Sequence, residues 1–383
     1  MKERRMPTAN PSAAAAAAAT GAAPGLPGQV VLVLQGGGAL GAYQVGVFEA
    51  LHAAGVDPDW VIGTSIGAIN AALIAGNAPA ERLERLDAFW RHVQCPRLLA
   101  GPFDWLGMGN LVANMTTVMR GIPAFFEPHL PSLRGARASL GVEQAAYYST
   151  APLRETLGEL VDVDLLNDGP MRLTVGAVNA ASGAMRYFDS RNERLSIDHV
   201  MASGALPPAF PAVRIDGQPY WDGGIYSNTP IEAVLDDMPR RDALIFAVNV
   251  WHQAGPEPDS IWQVMARQKD IQFASRADSH ILRQKQLHRL RHVIREIARE
   301  LPAGKQRDAH CRELAAWGCS TTMHIAHLVA PRLEGEDSTK DIDFSPTGVR
   351  ARREAGYADT LRMLERSPWT APSDPIEGVI EHH

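Results

Sequence analysis

Three short segments hold the residue types that could do chemistry. Gly36–Gly41 (GGGALG) follows a run of β-branched residues, Gly63–Gly67 (GTSIG) has Ser65 at its centre, and Asp222–Gly224 (DGG) sets one carboxylate ahead of two glycines. A serine hydroxyl is a poor nucleophile until a base takes its proton, and a carboxylate can be that base. Glycine turns let backbone N–H groups converge on a negative charge. Together the segments contain the parts needed for nucleophilic catalysis.

The first glycine turn allows two interpretations. Residues 36–41 match GxGxxG between a strand and a helix, the phosphate-binding turn of dinucleotide-binding units, and Asp57 or Asp59 could supply the acid that binds the ribose. In the other interpretation the same N–H groups stabilise an oxyanion that exists only in a transition state. The positive end of the following helix contributes in both cases, so this segment alone leaves the choice open.

The GTSIG segment favours the oxyanion. It lies between a buried strand and a small-residue helix, which is the context of a nucleophile elbow. Such a tight turn lifts the hydroxyl of Ser65 clear of the sheet edge, and Gly63 and Gly67 prevent collisions with neighbouring backbone. The alternative is a turn with a purely structural role.

No histidine stands in a setting that identifies it as the base for Ser65. Thirteen are present, and those in or near charged helical sequence, typical of a surface, are His252, His280 and His288. Asp222 is a different candidate, because aromatic residues precede it and Gly223 and Gly224 permit a sharp turn. Its alternative role is to cap a tight hairpin.

The pattern of apolar runs predicts the elements that must position these residues. Short β-branched runs without polar alternation indicate strands buried on both faces of a parallel sheet. Strands are predicted at 29–34, 60–62, 172–178, 185–188, 243–250 and 324–329. Helices are predicted at 45–54, 68–75, 152–161 and 199–205, with a final helix that begins after Ser345 and Pro346. The repeat of strand, turn and helix predicts an α/β fold.

Three regions depart from that repeat. Residues 1–28 are rich in Ala and Pro, and we interpret them as a disordered tail, because the Ala tract lacks the leucine-rich character of an export signal. Residues 96–140 form either a mobile apolar flap over the site or a packed surface loop. Residues 251–383 turn helical and charged. One of their helices either packs its apolar face or lies on an anionic membrane surface, and the apolar residues at helical spacing are Leu290, Val293, Ile294, Ile297 and Leu301.

Composition narrows the class of protein. The chain has 37 basic and 43 acidic residues, a net charge of −6, which argues against a general nucleic-acid binder. Its three cysteines are too few for a disulfide framework and form no CxxC pair for zinc, so a reducing compartment, the cytoplasm, is the expected location. The sequence contains no run of 18 apolar residues, so we expect no membrane-spanning helix.

Taken in order, the three motifs resemble those of the patatin-like phospholipases. The stretches Ala202–Pro207 (ASGALP) and Phe210–Pro211 also look like the part of that family that precedes its Asp motif. The resemblance covers residues 30–245, and the remainder looks like the extension of a bacterial branch. It implies a three-layer α/β/α fold with a mostly parallel sheet at 29–250 and a mainly helical extension, 251–383, packed on it.

The resemblance implies a Ser–Asp dyad that works without histidine. Ser65 is then the nucleophile and Asp222 the base, with a pKa raised by burial, while the N–H groups of Gly37 and Gly38, together with Gly36, form the oxyanion hole. An acyl-enzyme forms on the serine, and the same carboxylate activates water to hydrolyse it. The implied substrate is a phospholipid or a related acyl ester, with no metal or organic cofactor and with peripheral contact at the inner membrane face.

One position departs from the family. Leu40 stands where many patatins have a basic residue, which implies a weaker or differently selective hydrolase if that charge supports the oxyanion or a lipid phosphate. Three alternatives stay open: a scaffold that keeps the motifs without activity, a Ser–His–Asp α/β-hydrolase with a later histidine as base, and a nucleotide-binding protein that uses the glycine turn.

Overall fold

The structure is a computed structural model that describes most of the chain. The described residues are 25–95, 121–122, 124–131, 135, 137–274, 277–306, 308–334, 336–374 and 376–383. The predicted tail up to residue 24 and the part of the predicted flap from 96 to 120 lie outside them. Within these ranges, no helix combines the length and the apolar character needed to cross a bilayer.

A mostly parallel sheet runs through the centre of the described chain. Its strands lie in the order β11 (Val379–His382), β10 (Met323–Val329), β9 (Ala243–Asn249), β1 (Gln29–Leu34), β2 (Trp60–Gly63), β5 (Arg172–Asn179), β8 (Gln218–Asp222) and β7 (Val213–Ile215), and β6 (Met185–Asp189) also pairs with β5. All neighbours from β11 to β5 are parallel, whereas β6, β7 and β8 pair antiparallel. The short strands β3 (Glu127–Pro128) and β4 (Tyr148–Ser149) pair separately.

Helices cover both faces of this sheet. They are α1 (Ala42–Ala53), α2 (Ile66–Ala75), α3 (Arg82–His92), α4 (Ala151–Leu160), α5 (Val163–Asp168), α6 (Ile197–Ser203), α7 (Glu232–Leu235), α8 (Ile261–Ala274), α9 (Ala277–Glu300), α10 (Ala303–Gln306), α11 (Ala309–Ala315) and α12 (Pro346–Arg366). Val30, Leu32 and Leu34 of β1 share one core with α1, α2, α3 and α12, while Val31 and Val33 share the other with α7 and α9. Because both faces of β1 are covered by apolar side chains, its sequence shows no alternation of apolar and polar residues. The predicted three-layer α/β/α fold is confirmed.

The predicted elements agree closely with the structure. Each predicted strand is present with ends within one residue of the prediction, and each predicted helix within three. The hydroxyl of Ser345 accepts the N–H of Gly348 at 3.1 Å, which confirms the cap predicted for the last helix. The sequence therefore carried enough periodicity to locate most of the elements that frame the site.

The segment beyond residue 250 completes the sheet as well as packing on it. β10 pairs along the whole of β9, and β11 pairs along β10. The predicted boundary after Val250 thus falls inside a continuous sheet, just past the end of β9. Helix α12 packs across α1 on one face, and α9 contributes to the core on the other.

Helix α9 is oriented differently from the prediction. Its buried residues are Ile281, Gln284, His288 and His292. Leu290 and Ile297, which we expected to pack, are each 60% exposed. The packing prediction is therefore wrong for these two side chains, because the helix turns polar groups inward and leaves apolar ones at the surface.

Two glycines allow α1 and α12 to cross in backbone contact. A Cβ at Gly46 would overlap the carbonyl oxygen of Arg353, and a Cβ at Gly356 would overlap that of Tyr43. The Arg353 guanidinium also joins the two helices through Glu49 at 2.7 Å. The close crossing ties the extension to the first helix of the fold.

We predict that Gly356→Ala destabilises the whole protein, because neither backbone can move away without disturbing the core. The expected loss is about 3 kcal/mol, the upper part of the usual range for overpacking. Gly158→Ala on α4 is the matched control, since a Cβ there meets no atom within 4 Å; alanine at that position should be neutral or slightly stabilising. Urea unfolding of both variants measures the difference, and equal stabilities would contradict the close crossing.

Candidate active site

Ser65 lies at a sharp turn between β2 and α2. Its backbone is in an unusual conformation for a residue with a side chain, with φ 57° and ψ −126°. A Cβ at Gly63 would overlap the carbonyl of Gly67, and one at Gly67 would overlap that of Leu34. The two motif glycines therefore permit the tight turn, and the Ser65 side chain lies at the surface of a cavity.

A second serine holds this turn in place. The hydroxyl of Ser203, at the end of α6, accepts the N–H of Ser65 at 3.1 Å and donates to the carbonyl of Gly176 at 2.6 Å. Ser203 is completely buried. The unusual backbone of the turn is thus fixed by hydrogen bonds to a neighbouring helix and strand, a role that sequence reasoning did not assign to Ser203.

Asp222 lies beside Ser65 although 157 residues separate them in the sequence. The antiparallel pairing of β5 with β8 sets Asp222 opposite Ala177, at the end of β8. The side chain lies near that of Ser65 on the wall of one cavity, and Oδ1 accepts the N–H of Gly224 at 2.7 Å. The cap considered from the sequence is therefore present, and the same carboxylate also lies near the serine.

Burial raises the pKa of Asp222 to about 7. The side chain is almost fully buried, and loss of hydration disfavours its charged form. The nearby Ser65 hydroxyl and the N–H of Gly224 favour the charged carboxylate and lower its pKa, but by less than burial raises it. A carboxyl group with this pKa can accept and return a proton near neutral pH.

The glycine turn after β1 presents two N–H groups to the same cavity. Gly37 and Gly38 line it and are half-buried, and no acceptor among the described residues is recorded for either N–H. Gly36 differs, because its N–H donates to the carbonyl of Asn228 at 3.1 Å. The predicted oxyanion hole is thus narrowed to Gly37 and Gly38, since the N–H of Gly36 already has a partner.

The carbonyl of Gly36 is held as firmly as its N–H. It accepts Nδ2 of Asn228 at 3.0 Å and Nε1 of Trp251 at 2.8 Å. Asn228 follows the DGG motif, so this one residue connects the first and third motifs. Asn228 could have been suspected from its position four residues after Gly224, but it lies outside the motifs and was not predicted.

Gln35 anchors the start of the same turn. Its Oε1 accepts the N–H groups of Val250 and Trp251 at 2.6 and 2.9 Å, and its Nε2 donates to Oγ1 of Thr229 at 2.6 Å. All of these bonds are buried. A glutamine directly after an apolar strand was the available signal, because a buried amide needs several partners to offset its lost hydration.

The remaining motif glycines serve close packing. A Cβ at Gly41 would lie 2.7 Å from Cγ1 of Ile66, and one at Gly223 would overlap the carbonyl of Gly176. Gly38 has φ +56°, and a Cβ there would overlap the carbonyl of Asp341. Leu40 is buried in the core and does not line the cavity, so its side chain cannot replace a basic group there.

The cavity beside Ser65 has a volume of about 270 Å³ and apolar walls. Phe273, Ile342 and Phe344 contribute to it from the segment beyond residue 250. Phe125 and Phe126 contribute from the described part of the predicted flap. Both rings pack against Phe210, and Phe126 also makes an edge contact with Tyr148. An enclosed apolar space next to a polar group suits a ligand with a hydrocarbon part.

The histidines considered from the sequence as alternative bases do not line this cavity. Its described lining contains neither histidine nor cysteine. Burial is the main cause that lowers the pKa of His252 and of His288 to about 4. The nearby Lys340 contributes to the lower pKa of His252, and Arg291 does so for His288. His280 lies on α9 and also does not line the cavity.

Both predicted ribose acids lie at the opposite end of the sheet. Asp59 precedes β2 and accepts the N–H of Val30 at 2.8 Å, and Asp57 pairs with Arg82. Neither lines the cavity. The glycine turn follows the other end of β1, so these carboxylates do not form a dinucleotide site with it.

Known proteins share parts of this sequence. A "cGAMP-activated phospholipase" of Pseudomonas aeruginosa is 27% identical over 239 residues, which are 58% of this chain and 61% of that protein. "Patatin-like phospholipase domain-containing protein 6" of Homo sapiens is 46% identical over 61 residues, 16% of this chain and 4% of that protein. The chain thus spans less than two-thirds of these curated relatives. The solved structure of VipD from Legionella pneumophila aligns with a TM-score of 0.37 and 16% identity over 88% of this chain and 67% of that chain.

Family models cover more of the sequence. The model described as patatin-like phospholipase matches residues 32–235, more than half of the chain and all three motifs. A further model, described as patatin phospholipase, matches residues 271–376, which include α9, β10 and α12. The chain therefore belongs to the patatin-like phospholipase family, a family of carboxylic-ester hydrolases.

Proposed function

We propose that this protein is a serine lipid acyl hydrolase in which Ser65 is the nucleophile and Asp222 the base. The juxtaposition of these two side chains on the wall of one cavity carries the proposal. Two further observations support it: the position of Ser65 at a strained turn that borders the cavity, and the N–H groups of Gly37 and Gly38 on the wall of the same cavity, for which the described residues offer no acceptor. A nucleophile, a base and oxyanion donors are the parts that acyl transfer needs.

In the acylation step, Asp222 takes the hydroxyl proton as Oγ of Ser65 attacks the ester carbonyl carbon. The carbonyl oxygen becomes an oxyanion and accepts hydrogen bonds from the N–H groups of Gly37 and Gly38. Each such donor contributes about 3 kcal/mol to lowering the barrier. Collapse of the intermediate expels the alcohol, which takes the proton from Asp222 and leaves the acyl group on Ser65.

Deacylation repeats the sequence with water. Asp222, again ionised, takes a proton from water as the oxygen attacks the acyl carbon. The second oxyanion uses the same two N–H groups. Its collapse returns the proton to Oγ of Ser65 and releases the carboxylic acid. No step uses histidine, a metal or an organic cofactor.

The substrate we propose is a phospholipid or a related ester with an acyl chain. The aromatic and aliphatic side chains around the cavity support this class, since they offer an acyl chain an apolar surface beside Ser65. The names of the curated relatives, both phospholipases, support the same class. A cytoplasmic location remains our prediction.

Helix α8 supports contact with a membrane surface. Phe273 near its end lines the cavity, whereas Ile271, two residues earlier, is exposed. Its exposed apolar residues fall mainly on one helical face and are Ile261, Trp262, Val264, Met265 and Ile271. An exposed stripe with tryptophan is typical of helices that lie at a lipid interface. We therefore propose that α8 rests on the membrane next to the entrance of the cavity.

We predict that Ser65→Ala lowers kcat/KM for a short-chain chromogenic ester by at least about 10³-fold, because no nucleophile is left to form the acyl-enzyme. Circular dichroism should show an unchanged fold. Ser182→Ala, in an exposed turn, is the matched control and should keep full activity. Hydrolysis by Ser65→Ala at the control's rate would exclude the proposed nucleophile.

The pH dependence of hydrolysis reports on Asp222. Because only the ionised carboxylate accepts a proton and its pKa is about 7, kcat/KM should fall about tenfold for each pH unit below 7 and level off above. Asp222→Asn should be inactive across the range. Asp216→Asn, in the exposed turn between β7 and β8, should keep the wild-type profile. A wild-type rate that is flat from pH 5 to 8 would rule out this base.

The same raised pKa has a consequence for stability. Below about pH 4 the carboxyl is protonated in both folded and unfolded states, and the wild type loses stability as pH rises toward 7, because the unfolded chain then ionises more readily. Asp222→Asn should therefore gain thermal stability relative to the wild type between pH 4 and 7, with a constant difference above. A difference that is the same at pH 4 and pH 8 would contradict the buried carboxyl.

We predict that Val264→Asp and Met265→Asp weaken binding of the Ser65→Ala protein to phosphatidylglycerol vesicles at least fivefold, since each places a charge in the apolar contact. Met238→Asp is the control, because Met238 is similarly exposed but precedes β9 at the other end of the sheet. Co-sedimentation measures the bound fraction. Equal loss in all three variants would show that α8 is not the contact.

A further inference from the structure

A histidine-rich surface lies at the edge of the sheet, away from the cavity. β11 is the edge strand and pairs in parallel with β10, with Ile325 opposite Glu381. Because side chains alternate along a strand, His327 lies on the same face of the sheet as Glu381 and His383, the residue that follows β11. This is the face on which Ile325 and Val379 pack, the side of α9.

The three side chains converge on one point. Nε2 of His327 is 3.3 Å from Oε2 of Glu381. The rings of His327 and His383 are nearly parallel, with centroids 4.7 Å apart. One ligand atom from each residue lies within 4.8 Å of the other two. None of these three residues takes part in the proposed ester hydrolysis.

We propose that His327, Glu381 and His383 bind a divalent transition-metal ion of the Zn²⁺ type. Two imidazoles and one carboxylate are ligands that zinc and its neighbours prefer, whereas Mg²⁺ and Ca²⁺ prefer oxygen. Zinc bonds of about 2.0–2.2 Å set neighbouring tetrahedral ligand atoms about 3.3 Å apart. His327 and Glu381 already have that separation, and the exposed His383 closes the remaining distance.

A neighbouring lysine orients the carboxylate for this role. Nζ of Lys285, on α9, donates to Oε1 of Glu381 at 3.0 Å. The other oxygen, Oε2, is left facing His327. Outer groups that hold one oxygen of a ligating carboxylate fix the direction of the other. Three protein ligands leave the fourth position of a tetrahedral ion to water.

The opposite face of the same two strands offers a natural control. His324 and His382 stack there with ring nitrogens 3.0 Å apart, so that each ring is the other's hydrogen-bond partner. The described residues place no carboxylate in a metal-binding group with this pair. The two pairs thus have similar composition but different capacity to hold an ion.

The bound ion would fasten the edge strand. β11 has four residues and pairs only with β10 in the described sheet, so few hydrogen bonds hold it. An ion that bridges His327 of β10 with Glu381 and His383 links the two strands through their side chains. Its effect is on stability, because a ligand that binds only the folded state shifts the equilibrium toward it.

The test is a Zn²⁺ titration of chelator-treated, full-length protein by calorimetry. We expect one ion per chain and a higher melting temperature with Zn²⁺ but not with Mg²⁺. His327→Ala and Glu381→Gln should each weaken this binding at least tenfold, and the second variant is nearly isosteric, so it tests the site even if the first folds poorly. His382→Ala should bind as the wild type does.

Two results would overturn the site. One is wild-type protein that binds no Zn²⁺ or binds it without any change in melting temperature. The other is loss of the ion in His382→Ala with retention in Glu381→Gln, which would move the binding to the opposite face. Neither result bears on ester hydrolysis, so the metal site is judged independently of the proposed function.

Discussion

Placing Ser65 beside a buried carboxyl group dictates how the neighbouring elements must pack. Ionising Asp222 without water is costly, and holding Ser65 at φ 57° adds backbone strain. Both unfavourable free energies arise at one site, and they persist there because neighbouring elements restrict how the backbone and the carboxyl can move. Ser203 binds the amide of the turn, and the β5–β8 pairing fixes the position of the carboxyl. The packed core around these contacts holds them in a single arrangement.

The segment beyond residue 250 is part of this arrangement. Trp251 binds the carbonyl of Gly36, and the carbonyl of Phe273 accepts the side-chain amides of Gln35 and Asn228. Lys269 on α8 binds Asp341, whose backbone lies against Gly38. The glycine turn is therefore enclosed on one side by residues that the sheet's last strands and helices bring to it. The proposed chemistry needs the extension for the shape of its cavity as well as for the stability of the fold.

Much of the fold could be predicted from the sequence because burial leaves a clear pattern. The β1 run without alternation, the alanine-rich α2 and the Ser345 cap each have a local cause, and each is found where it was predicted. Edge strand β11 was missed, since its four residues, VIEH, are too few to show a strand periodicity. The exposed Leu290 and Ile297 show the same limit, because spacing marks an apolar face without telling what covers it.

The site was predictable as far as it consists of motifs. Ser65, Asp222 and the glycines of the first turn could be named, and the structure brings them to one cavity. The residues that support them could not be named, since Gln35, Ser203 and Asn228 act through hydrogen bonds to segments that are distant in the sequence. The sequence also could not show that the Gly36 N–H already has an acceptor, because that acceptor is the carbonyl of Asn228, 192 residues away in the sequence.

The most direct measurement is a crystal structure of the protein treated with an alkyl phosphonate ester, which mimics the tetrahedral intermediate. We predict a covalent bond from Oγ of Ser65 to phosphorus, with one phosphoryl oxygen about 2.7–3.1 Å from the N atoms of Gly37 and Gly38. The alkyl group should follow the apolar wall of the cavity, with Asp222 still beside the serine. A phosphonate on another residue would contradict Ser65 as the nucleophile, and a phosphoryl oxygen turned away from both glycines would contradict the oxyanion hole.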